Sequence, residues 1–185
     1  MPTSHWSYLT KIVNTIKKSN PKSILEIGVG FGKYGFLSRE YLEVYGNNNW
    51  QKKDWQVQID GVEIYAPYIT EQIKHYYNTI YNDNIVKLFK ENKISNYDLI
   101  LMTDVLEHLN KEDGIYVLDE IRKHSKTGIL AVPLGDWRYE FDGDNKNESH
   151  ISMWEYKEFI HSNLKDSKTY PVSGKKIGVF IYENK

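Results

Sequence analysis

The segment Ser23-Ile24-Leu25-Glu26-Ile27-Gly28-Val29-Gly30-Phe31-Gly32-Lys33-Tyr34-Gly35 carries the residues best suited to chemistry. An apolar run holding one carboxylate leads straight into alternating glycines. Glycine lets the backbone bend sharply and approach a ligand with no Cβ in the way. The helix that opens beyond the turn offers unpaired N–H groups. A nucleoside-containing cofactor is the usual occupant of such a turn, and three nucleotide readings compete for it. A phosphate-cradling loop needs Gly, four residues, then Gly-Lys-Ser/Thr. Ile27 and Tyr34 stand where that pattern needs Gly and Ser or Thr, so it fails. Gly30, Gly32 and Gly35 satisfy the dinucleotide pattern Gly-x-Gly-x-x-Gly, whereas Glu26, Gly28, Gly30 and Gly32 satisfy an acid followed by Gly-x-Gly-x-Gly. An acid beside the turn suits a ligand with an amino group or positive charge and repels a pyrophosphate, which favours the last pattern. Glu63 ends a second apolar run, where a carboxylate can accept two hydrogen bonds from ribose hydroxyls.

A second constellation is Asp104-Val105-Leu106-Glu107-His108. Asp104, at the end of a strand, is expected to face the cofactor; Glu107 and His108 are expected to be solvated or locally bonded, with His108 as a catalytic base the lesser alternative. His150 is the candidate catalytic base. An imidazole with an unperturbed pKa near ~6.5 can take a proton from a hydroxyl or an amine. Before it runs a long loop, 134–150, in which Trp137, Tyr139 and Phe141 either stack on a substrate or tuck back onto the core. Asp136, Asp142, Asp144 and His150 are cation-binding residue types, but their spacing matches no metal signature and no metal is expected.

These residues need elements to hold them. Leu9, Ile12, Val13 and Ile16 have helical spacing, and Ser19-Asn20-Pro21 ends that helix. Strands are expected at Ser23–Ile27, Gln56–Ile64, Thr79–Tyr81, Tyr97–Met102 and Gly128–Val132, the last stopped by Pro133. Helices are expected at Tyr34–Tyr45, after Pro67, at Ile85–Phe89, at Gly114–Lys123 and at Met153–Ile160. Trp50–Trp55 reads as a surface loop. Lys168–Val172 and Lys176–Glu183 form a closing hairpin about Ser173-Gly174. Strand–helix alternation predicts a mainly parallel sheet covered on both faces.

A chain of 185 residues with 40% hydrophobic residues is expected to form one domain with a real core. Residues 1–20 would be an N-terminal helix and 21–185 the cofactor-binding core. The 24 basic residues against 25 acidic ones leave a net charge of −1, which disfavours a nucleic-acid backbone as partner. The absence of Cys rules out disulfides, thiolate nucleophiles and Cys metal sites. No apolar run reaches the ~18 residues of a membrane span, so a cytoplasmic protein with a small-molecule substrate is expected.

With these residues in place the sequence resembles the class I S-adenosylmethionine-dependent methyltransferases over about residues 20–185. The family's first motif matches Leu25–Gly32, its ribose-binding acid matches Glu63, and its later segment matches Tyr97–Leu109. The resemblance implies a Rossmann-like three-layer α/β domain whose seven-stranded sheet is mostly parallel with an antiparallel last strand. It implies S-adenosyl-L-methionine as cofactor, with Gly28, Gly30 and Gly32 under its methionine and ribose and Ile64 and Tyr65 flanking its adenine. The residue contacting the adenine amino group maps onto Asp83, with Asn82 as competitor. The insertion around Asn47–Trp55 departs from the family. No Asn-Pro-Pro-Tyr-like string follows the fourth strand, which disfavours amino groups of nucleic-acid bases as acceptors. The readings that follow are methyl transfer to a small molecule, a non-catalytic cofactor-binding protein of the same fold, and, resting on Gly30, Gly32 and Gly35 alone, a nicotinamide-dependent oxidoreductase.

Overall fold

β-Branched and large aliphatic residues dominate Ser23–Ile27 (β1) and Tyr97–Thr103 (β4), and both strands are buried almost throughout, as expected of a sheet covered on both faces. In the computed structural model, which describes residues 3–184, they are neighbours in one seven-stranded sheet. The other strands are Gln58–Val62 (β2), Thr79–Tyr81 (β3), Ser125–Leu134 (β5), Leu164–Val172 (β6) and Lys175–Glu183 (β7). The order is β3-β2-β1-β4-β5-β7-β6. β1 to β5 pair in parallel; β7 runs antiparallel to both β5 and β6, so it alone is reversed. Ser173 and Gly174 turn that hairpin with φ of 46° and 78°, the left-handed geometry a two-residue loop requires.

Alternate residues of each strand feed opposite layers. Leu99 and Leu101 join Ile12 and Ile16 of the helix Leu9–Ser19 (α1), Tyr34 of Lys33–Ser38 (α2) and Ile73 of a later helix. Ile100 and Met102 join Leu88 of one flanking helix, Val117 and Ile121 of another, and Trp154 and Phe159. After α2 the chain widens into a π-helical stretch, Arg39–Val44, before a last turn, Tyr45–Asn47 (α3). The expected uninterrupted helix is therefore broken where Arg39 and Glu43 both turn inward. Arg39 donates to the carbonyls of Tyr76 (2.9 Å) and Val57 (2.6 Å), and Glu43 accepts from the Val57 N–H (2.6 Å). The remaining helices are Glu71–Tyr76 (α4), Ile85–Lys90 (α5) and Lys111–His124 (α6). Ile73 belongs to α4, Leu88 to α5, and Val117 and Ile121 to α6.

Two expectations are corrected. Pro133 does not stop β5; it pairs with Ile177 inside the strand. β4 reaches β5 only as far as Ala131, so beyond it that side of β5 is an open edge, where the N–H that proline lacks is not needed. Met153–Ile160 is not an α-helix. Trp154 bridges Gly135 and packs against Gly114, which holds the chain extended, and only Tyr156–Phe159 forms a 3₁₀ turn. Among the described residues no helix is long and apolar enough to cross a membrane.

Candidate functional site

The strand order reverses between β1 and β4, and open α/β sheets bind ligands outside the carboxyl ends of the strands at such a point. The glycine turn follows β1. Gly28, Gly30 and Gly32 have φ of 80°, 50° and 74°, a region costly for other residues. A Cβ on Gly28 would overlap Val105 Cγ2, so the turns after β1 and β4 touch with no space between them. The Gly28 and Val29 N–H groups donate to the Val62 carbonyl at 2.9 and 3.2 Å. Glu63 clamps the same turn: Oε2 accepts from the Gly30 N–H and Oε1 from the Tyr65 N–H, each at 2.8 Å. A carboxylate has about four lone-pair sites, so each oxygen keeps capacity for a ligand hydroxyl. Burial pushes the Glu63 carboxyl above its usual range, against those two N–H donors.

Glu26 is not a solvated strand end. It is buried and accepts from the Tyr77 hydroxyl at 2.6 Å. Burial pushes its carboxyl up to about 8, against that bond and the backbone donors Gly35 and Tyr34. A Cβ on Gly35 would run into the Tyr77 ring, and one on Gly61 would overlap Val29 Cγ2 and crowd that ring at 3.2 Å. The third glycine of the dinucleotide pattern thus makes room for a tyrosine that grips Glu26. Tyr77 went unread in the sequence, where nothing but those two glycines hinted at a ring lying across them.

Glu26, Gly28, Gly30, Glu63, Ile64, Asp83 and Asp104 line one cleft; Gly32 and His150 do not. Gly32 caps α2 against Ile73. Ile64 presents an apolar face that is 44% exposed. Asn82 turns away, donating to the carbonyls of Glu63 (2.8 Å) and Ile64 (3.2 Å), and leaves the wall to Asp83. Asp83 accepts from the Asn84 N–H (2.8 Å) and Lys87 Nζ (2.7 Å) at the start of α5.

Asp104 has φ of 51°, unusual for a residue with a side chain. Its Oδ2 accepts from the Tyr8 hydroxyl, while Oδ1 is buried with no partner. Burial pushes this carboxyl up to about 6, against the Tyr8 bond. Tyr8 belongs to the short segment before α1 that crosses the cleft; Lys33 Nζ donates to the Ser4 carbonyl there, and Ser4 Oγ donates to the Tyr34 hydroxyl at 3.2 Å. That segment forms one wall of the cleft, through Ser4.

Glu107 corrects another expectation: it is 1% exposed, and neither carboxylate oxygen has a hydrogen-bond partner. His108 lines the cleft, and its Nδ1 faces the Ser149 carbonyl at 2.9 Å. His150 lies behind it, ring centroids 4.7 Å apart, with Nε2 3.9 Å from Glu107 Oε1. Burial, then the neighbouring His108, lowers His150 to about 4. His150 is held by main-chain bonds to Tyr139 in both directions, which fold the 134–150 loop into an arm. The arm reaches the cleft through Asn145, Asn147 and Glu148; Trp137, Tyr139 and Phe141 do not line it. Asp136 pairs instead with Arg138.

No family model matches this sequence, and no curated protein sequence matches it. Solved structures do. The N-terminal domain of EvdMO1, crystallised in the presence of SAH and D-fucose, superposes with a TM-score of 0.62 over 99% of this chain and 85% of that one, at 12% identity. The methyltransferase domain of bacterial CtHen1-C matches with 0.59 over 97% and 98%, at 17% identity. Magnesium protoporphyrin IX methyltransferase (ChlM) from Synechocystis PCC 6803, with bound SAM, gives 0.56 over 96% and 78%, at 11%. The fold is that of the class I S-adenosylmethionine-dependent methyltransferases. At these identities the likeness concerns the fold, and the seven-stranded sheet with β7 reversed is the architecture that the sequence resemblance implies.

Proposed function

We propose that this protein binds S-adenosyl-L-methionine and transfers its methyl group to a small-molecule acceptor. The observation that carries the reading is Glu63, fixed by the Gly30 and Tyr65 N–H groups at the lip of a side-chain-free turn, with acceptor capacity left on both oxygens. Glu63 would hold the ribose hydroxyls, Ile64 the adenine face and Asp83 its amino group. Gly28 and Gly30 would keep the floor bare, with Gly32 setting the bend. Glu26, whose proton a cationic amino group would displace, and the unpartnered Oδ1 of Asp104 offer acceptors to the amino acid end. The cofactor supplies an already electrophilic methyl. The chain's part is to hold the acceptor in line with it, exclude water and accept or pass on the acceptor's proton. His150 is too weakly basic, at about 4, and too far behind His108 to serve as an efficient base from where it stands. His108 lines the cleft and is the better placed imidazole. The crossing segment and the polar end of the 134–150 arm close over the site and suit an acceptor of modest size. A nicotinamide cofactor is disfavoured, because Glu26 lies beside the turn that would take its pyrophosphate.

Titration calorimetry tests this directly. S-Adenosylmethionine and its demethylated product should each bind one per chain, and Glu63→Ala should weaken both by about 1–3 kcal/mol, roughly tenfold to a hundredfold. No heat with either compound, or full affinity in Glu63→Ala, overturns the assignment.

A further inference from the structure

Glu107, His108 and His150 each offer a ligand atom, and these atoms all lie within 4.8 Å of one another. Three observations separate this group from a chance cluster. First, both oxygens of Glu107 are buried with no partner. A carboxylate left so is costly unless something cationic meets it, and among the described residues no Lys or Arg pairs with it. Second, a carbonyl can only accept, so the 2.9 Å contact between His108 Nδ1 and the Ser149 carbonyl fixes the proton on Nδ1 and leaves a lone pair on Nε2. Metal-bound histidines are oriented this way by their outer partners. Third, the ligands come from two rigid pieces. Glu107 and His108 sit on the 3₁₀ turn after β4, and His150 is pinned to Tyr139. The Glu107 carbonyl also accepts from the Ile151 and Ser152 N–H groups, at 2.9 and 3.1 Å, tying the two pieces together.

We propose that Glu107, His108 and His150 form a site for one divalent first-row transition-metal ion, such as Mn²⁺, Fe²⁺, Co²⁺ or Zn²⁺, at the inner end of the cleft. Two imidazoles and one carboxylate suit these ions better than Mg²⁺ or Ca²⁺, which prefer oxygen alone. Donors on bonds of about 2.1 Å stand about 3 Å apart, so ligand atoms now spread over up to 4.8 Å, with 3.9 Å between Glu107 Oε1 and His150 Nε2, would have to draw together on binding. Three protein ligands leave open positions, and His108, on the cleft wall, directs them toward the acceptor. The site itself stands on these side chains; its use rests on the methyl-transfer reading. There the ion would bind an acceptor hydroxyl and lower its pKa. The hydroxyl proton leaves to water, the oxygen pair forms the new O–CH₃ bond, and the S–CH₃ pair stays on sulfur. The acceptor class is therefore an oxygen nucleophile. No spacing in the sequence marks this cluster, because its members come together only where the arm folds back onto the turn after β4.

Untagged protein purified without chelators, dialysed against Mn²⁺ or Zn²⁺ and analysed for bound metal, should hold one ion per chain, with Mn²⁺ also read by electron paramagnetic resonance. Glu107→Gln and His150→Ala should each weaken binding by at least about tenfold, whereas the exposed His161→Ala should not. Calorimetry with the demethylated cofactor on the same samples reports on the cleft separately. Saturable metal binding without cofactor binding supports the site and removes the methyl-transfer reading. No saturable metal binding by the wild type, or wild-type affinity in Glu107→Gln, overturns the site, whatever the cofactor does.

Discussion

Glu26 shows how a residue legible as a motif letter acquires its physics only in the fold. The sequence places an acid beside the glycine turn, and the structure buries it under Tyr77 with a pKa raised to about 8 by burial. Its unperturbed value is 4.5. Between about pH 4.5 and 8 the native state therefore holds this proton more tightly than the unfolded chain, and stability falls as pH rises through that window. Glu26→Gln should abolish its share of the slope. Urea melts at pH 5 and pH 8 should show the variant gaining on the wild type toward the higher pH; parallel curves would refute the assignment. Gly28 is the opposite case, fully readable from the sequence as a position that tolerates no side chain. Gly28→Ala combines a φ of 80° with overlap on Val105 and should cost about 1–3 kcal/mol or more. Val105→Ala in the same chain should return part of that loss, the overlap but not the backbone strain. A double-mutant cycle measures it, with coupling of about 0.5–3 kcal/mol expected.

At the scale of elements, strands were legible and connections less so. Buried parallel strands announce themselves as continuous apolar runs, and β1 and β4 fall where those runs are. Helices set by tertiary partners do not. The break in the helix after the glycine turn answers to the acceptors around Arg39, and the extended chain at Trp154 answers to Gly114, neither of them a local signal. The segment before α1 is the clearest example: its composition says little, yet Tyr8 and Ser4 hold it across the cleft. Tyr8→Phe removes the only side-chain donor to Asp104 among the described residues, and the Asp104 pKa is already raised to about 6 by burial. Denaturant unfolding should show a loss of about 1–3 kcal/mol. The loss should be larger at pH 8, where the stripped carboxylate is charged, than at pH 5, where it takes up a proton. An equal loss at both would mean that the hydroxyl acts through packing alone.

For the whole molecule, the strand order does what no single motif can. It sets the glycine turn, Glu63, Asp83 and Asp104 along one carboxyl edge, and the reversal between β1 and β4 opens the crevice they share. Alternation in the sequence supplies the parallel sheet, but the order follows from which apolar faces pack, and those contacts join residues distant along the chain. Since β1, β2 and β4 wall the cleft together with the chain before α1 and the turns beyond the strands, a ligand there braces the core as well as the loops. It should therefore shift the cooperative unfolding of the whole chain. At a hundredfold excess over its dissociation constant, a ligand that binds only the native state adds about 2.7 kcal/mol. In a chain of this length each kcal/mol moves the melting temperature by about 2–4 °C. The demethylated cofactor should therefore raise the single melting transition by roughly 5–11 °C, and NAD at the same concentration should leave it in place. A rise with NAD alone would return the third glycine reading, Gly30, Gly32 and Gly35, to first place and make this fold a dinucleotide binder.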